Sequence, residues 1–468
     1  MLTSAANGND SRLSFWRRVR EYAVPPSMIE AATARRLAGD WAGACAAANV
    51  EVDFRLGDVA RTHGRELADR LRADLRRLAP DLLRWHLPRT APDGLLRPGL
   101  TMPLARYPGE RPVSLVVRTP PAWAEYGQRI ALALWAGNRP GDGPRITHRY
   151  GNRYGDERGD GRSPHPHPHP SRRFRYDLHR HLWDAGRSGE LADRAGGHAP
   201  NGVSDGDFGD ALRLRAVDRW AAEAALLLRA DGHPDGPVTV RLEGRHRLVL
   251  GPDGCPADAS CDASALPLLP DAATWVPPDL DLLRNGAIEP ERLHPLVAAA
   301  LAPGHPRRTD RPDTTGAERL VDCRGAWHRI GLVDGALAPL DHDPAELRRE
   351  ELLSAFSGTP LPCLQAVDRA HRGPHQLDGI RERLVHGDAT GALAVVEDLL
   401  GPEAVLRDGP LRDAFLAAAQ RRIAYGRYRA GLTTEGPCAF PFRLGPPEHR
   451  RQTFRRPSTA RPRHATFR

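Results

Sequence analysis

The stretch LADRLRADLRRLAPDLLRW, residues 67–85, is the clearest structural signal in this sequence of 468 residues. Its apolar residues recur at steps of three and four, the period of one helix face, while arginine and aspartate fill the opposite face. The apolar positions are Leu67, Leu71, Leu75, Leu78, Leu82 and Trp85. Pro80 lies inside this pattern, so we expect the helix to be kinked or divided there.

Helical patterns precede this stretch, and strand patterns follow it. Ser27 and Glu30 have the capping-box spacing of a helix start, and Gly39-Asp40 predicts a break before a second short helix. Residues 113–118 and 128–135 are rich in β-branched or aromatic side chains between Pro and Gly, which predicts strands. Residues 1–135 are therefore expected to form an N-terminal α+β region.

Residues 136–209 differ in composition from the rest of the chain. They contain 14 Gly and 7 Pro among 74 residues, but only 7 residues of the types Leu, Ile, Val and Phe. Such a segment buries too little apolar surface to offset the entropy of ordering. We therefore expect a disordered linker between two folded regions.

The second region, residues 210–442, again mixes helical and strand patterns. The predicted elements are a helix at 211–230, a hairpin at 238–250, two short helices at 280–301, a β-meander at 320–340 and helices from Asp343 to about Arg429. The predicted fold class is α+β, with two regions of helices and short β-meanders joined by the linker. Residues 443–468 are expected to form a disordered basic tail.

One pattern occurs at both ends of the chain. Residues 36–44 (RLAGDWAGA) and 384–392 (LVHGDATGA) share Gly-Asp-x-x-Gly-Ala. In this pattern Gly can end one helix with positive φ and Asp can cap the next, which predicts two helical hairpins. Hairpins of this kind also build tetratricopeptide repeats, but two distant copies form no array. Whether they bind peptides or only pack is left open.

The sequence has no lysine, since all 67 residues counted as Lys or Arg are arginines. The phosphate-binding loop, the protein-kinase site and Schiff-base cofactors all require lysine, so these classes are excluded. No cofactor is predicted. If the protein takes part in an ATP-driven process, we expect the ATPase to be a separate polypeptide.

The net charge of +8 is concentrated at the C-terminal end. Residues 443–468 contain eight arginines and one acid, Glu448, a net +7, which leaves +1 for the remainder. Flexible arginine-rich segments can bind RNA or single-stranded DNA, although a solvated terminus has the same composition. The candidate nucleic-acid-binding residues are Arg450, Arg451, Arg455, Arg456, Arg461 and Arg463.

Six cysteines without a Cys-x-x-Cys pair predict neither a disulfide scaffold nor a structural zinc site. The alternating His165, His167 and His169 would form an extended Pro-His segment rather than a rigid metal site. No metal site is therefore predicted. The chain shows neither the apolar core of a secretory signal nor a stretch that could span a membrane, so we expect a cytoplasmic protein.

Two serine or cysteine arrangements suggest a hydrolase. Ser204 lies in a Gly-x-Ser-x-Gly pattern, but no strand precedes it. Cys323 is near Asp322 and His328 in the second meander, and Asp341-His342-Asp343 follows, yet Cys323 is more simply a small core residue. No catalytic residue is assigned, and an unrecognised hydrolase is kept as an alternative.

The absence of a catalytic pattern favours a non-enzymatic intracellular protein with an interaction or regulatory role, whose partner is another protein. The alternative is a nucleic-acid-associated protein that binds through its arginine-rich tail.

Overall fold

The computed structural model describes residues 3–136, 165–196, 214–305, 319–400 and 409–432, apart from short internal gaps. The gaps are residues 110–111, 126, 166, 168, 233–235, 243–246, 252–265, 324, 334–335, 340, 358–360 and 366–373. Helices and small sheets occur in both halves of the chain. The predicted α+β class is therefore confirmed.

The N-terminal part is built from six helices, a four-stranded sheet and a two-stranded sheet formed by β2 and β3. The helices are α1 (Thr3–Tyr22), α2 (Pro26–Leu37), α3 (Trp41–Ala47), α4 (Leu56–His63), α5 (Arg65–Arg77) and α6 (Pro80–His86). The strands are β1 (Val50–Val52), β2 (Arg89–Thr90), β3 (Leu95–Leu96), β4 (Thr101–Tyr107), β5 (Val113–Arg118) and β6 (Ile130–Ala136). Pro80 is the first residue of α6, so the predicted division of the long helix is confirmed.

The capping prediction at Ser27 is wrong in detail. Helix α2 begins at Pro26, so Pro25 is its N-cap and Ser27 lies inside the first turn. Proline is well suited to a first helical position because its missing N–H has no intrahelical partner there. The helix itself forms as expected.

The main sheet has the strand order β1-β6-β5-β4. Strands β4, β5 and β6 are antiparallel neighbours, whereas β1 pairs with β6 in parallel, with Val50 opposite Ile130. Strand β4 lies at the edge and shifts register between Pro103 and Ala105. A proline, which cannot donate a ladder hydrogen bond, is tolerated at such an irregular edge position.

The second half of the described chain consists of short helices and two further sheets. The helices are α7 (Leu191–Arg194), α8 (Val217–Asp231), α9 (Asp271–Thr274), α10 (Pro278–Arg284), α11 (Pro295–Leu301), α12 (Pro344–Ser357), α13 (Pro374–His386), α14 (Ala389–Leu400) and α15 (Pro410–Arg429). Strands β7 (Val238–Arg241) and β8 (Arg247–Leu250) form the predicted hairpin. Strands β9 (Arg319–Cys323), β10 (Ala326–Val333) and β11 (Ala336–Pro339) form the predicted meander.

Part of the segment expected to be a linker belongs to the core. Phe174, Tyr176 and Trp183 are buried in the same cluster as the residues of α5 and α6, and the N–H of Ala79 donates to the Trp183 carbonyl at 2.8 Å. The expectation of disorder is therefore wrong for residues 169–196. Counting only Leu, Ile, Val and Phe left out tyrosine and tryptophan, whose large side chains bury much surface per residue.

The main hydrophobic core also joins regions that the expected boundaries separate. Leu282 of α10 and Val297 of α11 are fully buried in the same cluster as Val19 of α1. Arg20 of α1 forms a buried ion pair with Asp279 of α10, with Nε 2.6 Å from Oδ1. The boundary expected after residue 135 therefore does not separate two independent cores in the part of the chain described. No helix within the described ranges has the length and apolar character needed to cross a membrane.

Candidate metal centre

The turn between β9 and β10 places Cys323 opposite Ala326, and His328 follows along β10. Gly325 adopts a φ of +87°, which a glycine tolerates without strain, and its N–H donates to Asp322 Oδ1 at 3.1 Å. This turn fixes the path of the hairpin. It therefore sets the positions of a cysteine and a histidine on adjacent strands.

The segment after β11 is held against β10 by a second carboxylate. Asp341 Oδ2 accepts from the backbone N–H of Arg329 at 2.7 Å, and Arg329 Nη2 donates to Asp341 Oδ1 at 2.7 Å. These bonds to Arg329 lower the pKa of Asp341 to about 2. His342 is the next residue, so its backbone is positioned beside His328.

The fourth residue comes from a helical turn at residues 362–365. Cys363 is fully buried there and packs in a small cluster with Cys323, Leu361 and Leu364. Pro362 begins the turn, as is common at a first helical position. The turn brings a second thiol against the first.

The side chains of Cys323, His328, His342 and Cys363 converge, and one ligand atom from each lies within 4.8 Å of all the others. His328 Nδ1 is 2.7 Å from His342 Nε2, and the two rings are nearly perpendicular at 79°. In a tetrahedral zinc site, metal–ligand bonds of about 2.0–2.3 Å separate the ligand atoms by roughly 3.3–3.8 Å. The cluster therefore has the composition of a four-coordinate site, and the two imidazole nitrogens would move apart by about 0.6 Å or more to hold an ion between them.

The second ring nitrogen of His342 faces a carboxylate. His342 Nδ1 lies 3.8 Å from Glu346 Oε2, one helical turn further along the chain in α12. Metal-binding histidines commonly direct their other nitrogen to a carboxylate, which fixes the tautomer that leaves the ligand nitrogen unprotonated. At 3.8 Å the Glu346 carboxylate is too far for a hydrogen bond, but an approach of less than 1 Å would let it accept from Nδ1 and leave Nε2 free for a metal.

The chemistry of the thiols without a metal argues against a nucleophile. Burial, followed by the hydrogen bond to Cys323, raises the pKa of Cys363 to about 12. A thiol with that pKa is almost entirely protonated at neutral pH, and only the thiolate attacks. A metal ion would replace the two protons and stabilise both thiolates in the same space.

The sequence singled out three of these four residues but did not join them. The sequence places Cys323 near His328, and His342 in a separate cluster with Asp341 and Asp343. Cys363 has no local signal, because it lies far away in the chain. No further group of three or more such ligands occurs among the described residues. His165 is elsewhere, buried with Nε2 2.9 Å from the Thr119 carbonyl oxygen.

The remaining candidates fall outside the part of the chain that the structure describes. Ser204 is one of them, and the tail residues Arg450, Arg451, Arg455, Arg456, Arg461 and Arg463 are the others. The assignment of a nucleic-acid-binding role to these arginines stays a prediction. Comparison of the chain with protein-family models, curated proteins and solved structures found no match.

Proposed function

We propose that this protein binds one Zn²⁺ ion through Cys323, His328, His342 and Cys363. The observation that supports the proposal is the convergence of these four ligand atoms within 4.8 Å. Two thiolates and two imidazoles form a ligand set that selects zinc over harder cations such as Mg²⁺ or Ca²⁺. Four protein ligands leave no open position for a substrate, so the proposed role of the ion is structural.

A zinc ion at this site would join two parts of the chain. Among the described side chains, Cys323 of β9 packs with Leu361, Cys363 and Leu364 of the segment that follows α12. A metal bound by ligands from both segments links them in the folded state, and its binding free energy then contributes to folding.

We infer that the whole protein is a non-enzymatic interaction or regulatory protein in which the zinc-stabilised segment is a structural module. A closed site with four protein ligands argues against a hydrolase at Cys323. Cys45, Cys323 and Cys363 are free thiols, which fits the reducing cytoplasm. The proposed partner is another protein, and without lysine in this chain any ATPase is a separate polypeptide.

The test is to measure zinc in the full-length protein purified without chelators and without a histidine tag. Mass spectrometry of the metal content should give about one zinc per chain. The variant Cys363→Ser should lose most of the bound zinc. Cys45→Ser is the matched control, because Cys45 is also a buried free cysteine but lies in α3, away from the cluster.

Replacement of zinc by cobalt gives a second readout of the ligand set. Tetrahedral Co²⁺ with two thiolates should show visible d–d bands and a thiolate charge-transfer band, which Cys363→Ser weakens and Cys45→Ser leaves unchanged. Chelation should also make residues 319–365 more sensitive to protease. A wild-type protein that stays metal-free when refolded with equimolar zinc, or equal zinc loss in both cysteine variants, would contradict the proposal.

A further inference from the structure

A second site lies where the end of β5 meets the last turns of α15. A cavity of about 20 Å³ opens there, lined by Asp53, Arg118, His165, Tyr428 and Arg429 among others. These residues come from four separate parts of the chain. The cavity therefore exists only when α15 is docked on the sheet.

An ion pair between Arg429 of α15 and Asp53 holds α15 against the sheet. Arg429 donates through Nη1 to Asp53 Oδ2 at 3.1 Å and through Nη2 to Asp53 Oδ1, so both oxygens of Asp53 are engaged. Arg429 Nε also lies 2.8 Å from Glu51 Oε2. The nearby rings of Trp123 and Tyr428 meet edge to face at 5.4 Å.

Arg118 lines the same cavity without such a pair. Arg118 is only 5% exposed, and its Nε and Nη2 atoms have no hydrogen-bond partner among the described residues. Burial lowers the pKa of Arg118, yet an arginine remains charged at neutral pH. A buried guanidinium with free N–H groups is costly unless an anion accepts from it.

Both carboxylates near the cavity are paired with Arg429. Asp53 accepts from its two Nη atoms, and Glu51 Oε2 lies 2.8 Å from its Nε. Burial lowers the pKa of His165 to about 4 and raises the pKa of Tyr428 to about 12, so both are neutral at pH 7. The guanidinium of Arg118 is therefore the excess charge at the cavity, because it has no carboxylate partner among the described residues. One monovalent anion would balance it.

We propose that a small monovalent anion of the size of chloride binds in this cavity against Arg118. A space of about 20 Å³ accommodates roughly one water-sized particle, which excludes phosphate, sulfate and any nucleotide. The anion accepts hydrogen bonds from Arg118 and neutralises the excess charge. Because Tyr428 and Arg429 belong to α15, binding of the anion favours the docked position of that helix.

The first experiment is thermal unfolding of the full-length, zinc-loaded protein in sodium bromide and in sodium gluconate at the same ionic strength. Gluconate is too large for the cavity, so only bromide should stabilise the protein through it. The rise in Tm from gluconate to 0.2 M bromide should be at least about 2 °C larger for the wild type than for Arg118→Met. The variant Arg422→Met is the control, because Arg422 is exposed on the same helix. Its response to bromide should match the wild type.

The second experiment needs no variant and remains decisive if Arg118→Met fails to fold. Crystals of the wild-type protein soaked in bromide should show an anomalous peak within about 3.5 Å of Arg118 Nε or Nη2. A water molecule at that position, or an identical bromide response in wild type and Arg118→Met, would overturn the proposal. Neither result bears on the zinc site, because zinc is held constant throughout.

Discussion

The two Gly-Asp-x-x-Gly-Ala hairpins have the same local structure although 348 positions separate them. Asp40 Oδ1 accepts from the Gly43 N–H at 2.8 Å, and Asp388 Oδ1 accepts from the Gly391 N–H at 2.9 Å. An arginine five residues earlier contacts the other oxygen at 2.9 Å in the first hairpin and 2.8 Å in the second. The glycine before each aspartate has a φ of +78° or +86°.

Their surroundings differ. A Cβ added at Gly39 would meet nothing within 4 Å, whereas one at Gly387 would lie 2.4 Å from the carbonyl oxygen of Gly127. The fully buried guanidinium of Arg84 donates to the carbonyls of Gly127 at 3.2 Å and His386 at 3.4 Å. The motif thus encodes the turn, while its neighbours decide whether the turn is also a packing surface. The hairpin structure is shown at both ends, whereas peptide binding by either hairpin stays untested.

The largest expected difference between the hairpins follows from replacing the glycine that ends the first helix of each hairpin with alanine. Gly387→Ala should lower the free energy of unfolding by about 2–4 kcal/mol, because it combines a positive φ with a backbone clash. Gly39→Ala should lower the free energy of unfolding by only about 1 kcal/mol. The backbone strain is the same, but the added methyl group meets open space. Urea denaturation monitored by circular dichroism gives both values.

Equal costs for the two alanine variants would show that the contact of Gly387 with Gly127 does not persist in solution. The two hairpins would then differ in sequence but not in how tightly they pack against neighbouring residues. A cost near zero at Gly39 would instead show that the first hairpin tolerates a different turn. Both results would change the comparison in a defined way.

The local elements were predictable where the signal is short-range. The hairpins, the division at Pro80 and the β9–β11 meander depend on glycine, proline and alternation within a few residues, and each is confirmed. Strand β4 and the parallel pairing of β1 with β6 were not predicted. A strand that contains Pro103 lacks the usual pattern, and a parallel partner distant in sequence leaves no local trace.

The proposed metal centre shows the same limit. Cys323 and His328 could be paired from the sequence because one turn joins them, but Cys363 reaches them only through tertiary packing. A zinc site built from distant single residues lacks the short Cys-x-x-Cys spacing by which such sites are usually identified. The unused signal was chemical: the same region combines two cysteines and two histidines.

A second, smaller effect should appear when the capping carboxylates are removed. Asp388→Ala should lower the free energy of unfolding by about 1 kcal/mol, because it removes the hydrogen bond to the Gly391 N–H at the start of α14. Asp40→Ala should act in the same direction and less strongly, since the Asp40 side chain is 43% exposed against 12% for Asp388.

Asp388→Asn is the control for this pair, because it retains an oxygen that can cap the helix while removing the charge. It should recover most of the loss seen in Asp388→Ala in the same denaturation experiment. If Asp388→Asn were as destabilising as Asp388→Ala, the ion pair with Arg383 rather than the cap would be the main contribution.

The smallest expected effect concerns pH and only the second hairpin, since Ala38 occupies the position that corresponds to His386. Burial lowers the pKa of His386, and the neighbouring Arg89 and Arg84 act in the same direction, while Glu382 opposes them. The folded state therefore binds the proton less readily than the unfolded chain. Its contribution to stability is present above pH 6.5 and declines below it, by less than about 1 kcal/mol at pH 6.0.

The C2 proton of His386, identified by its absence in His386→Gln, reports this directly by NMR. Its chemical shift should change at a lower pH than that of an unperturbed histidine, because burial lowers the pKa of His386. Between pH 8 and 6, the unfolding free energy of His386→Gln should fall less than that of the wild type. If the C2 proton of His386 titrates with the pKa of an unperturbed histidine, the ring is hydrated, and the second hairpin is then no more tightly docked than the first.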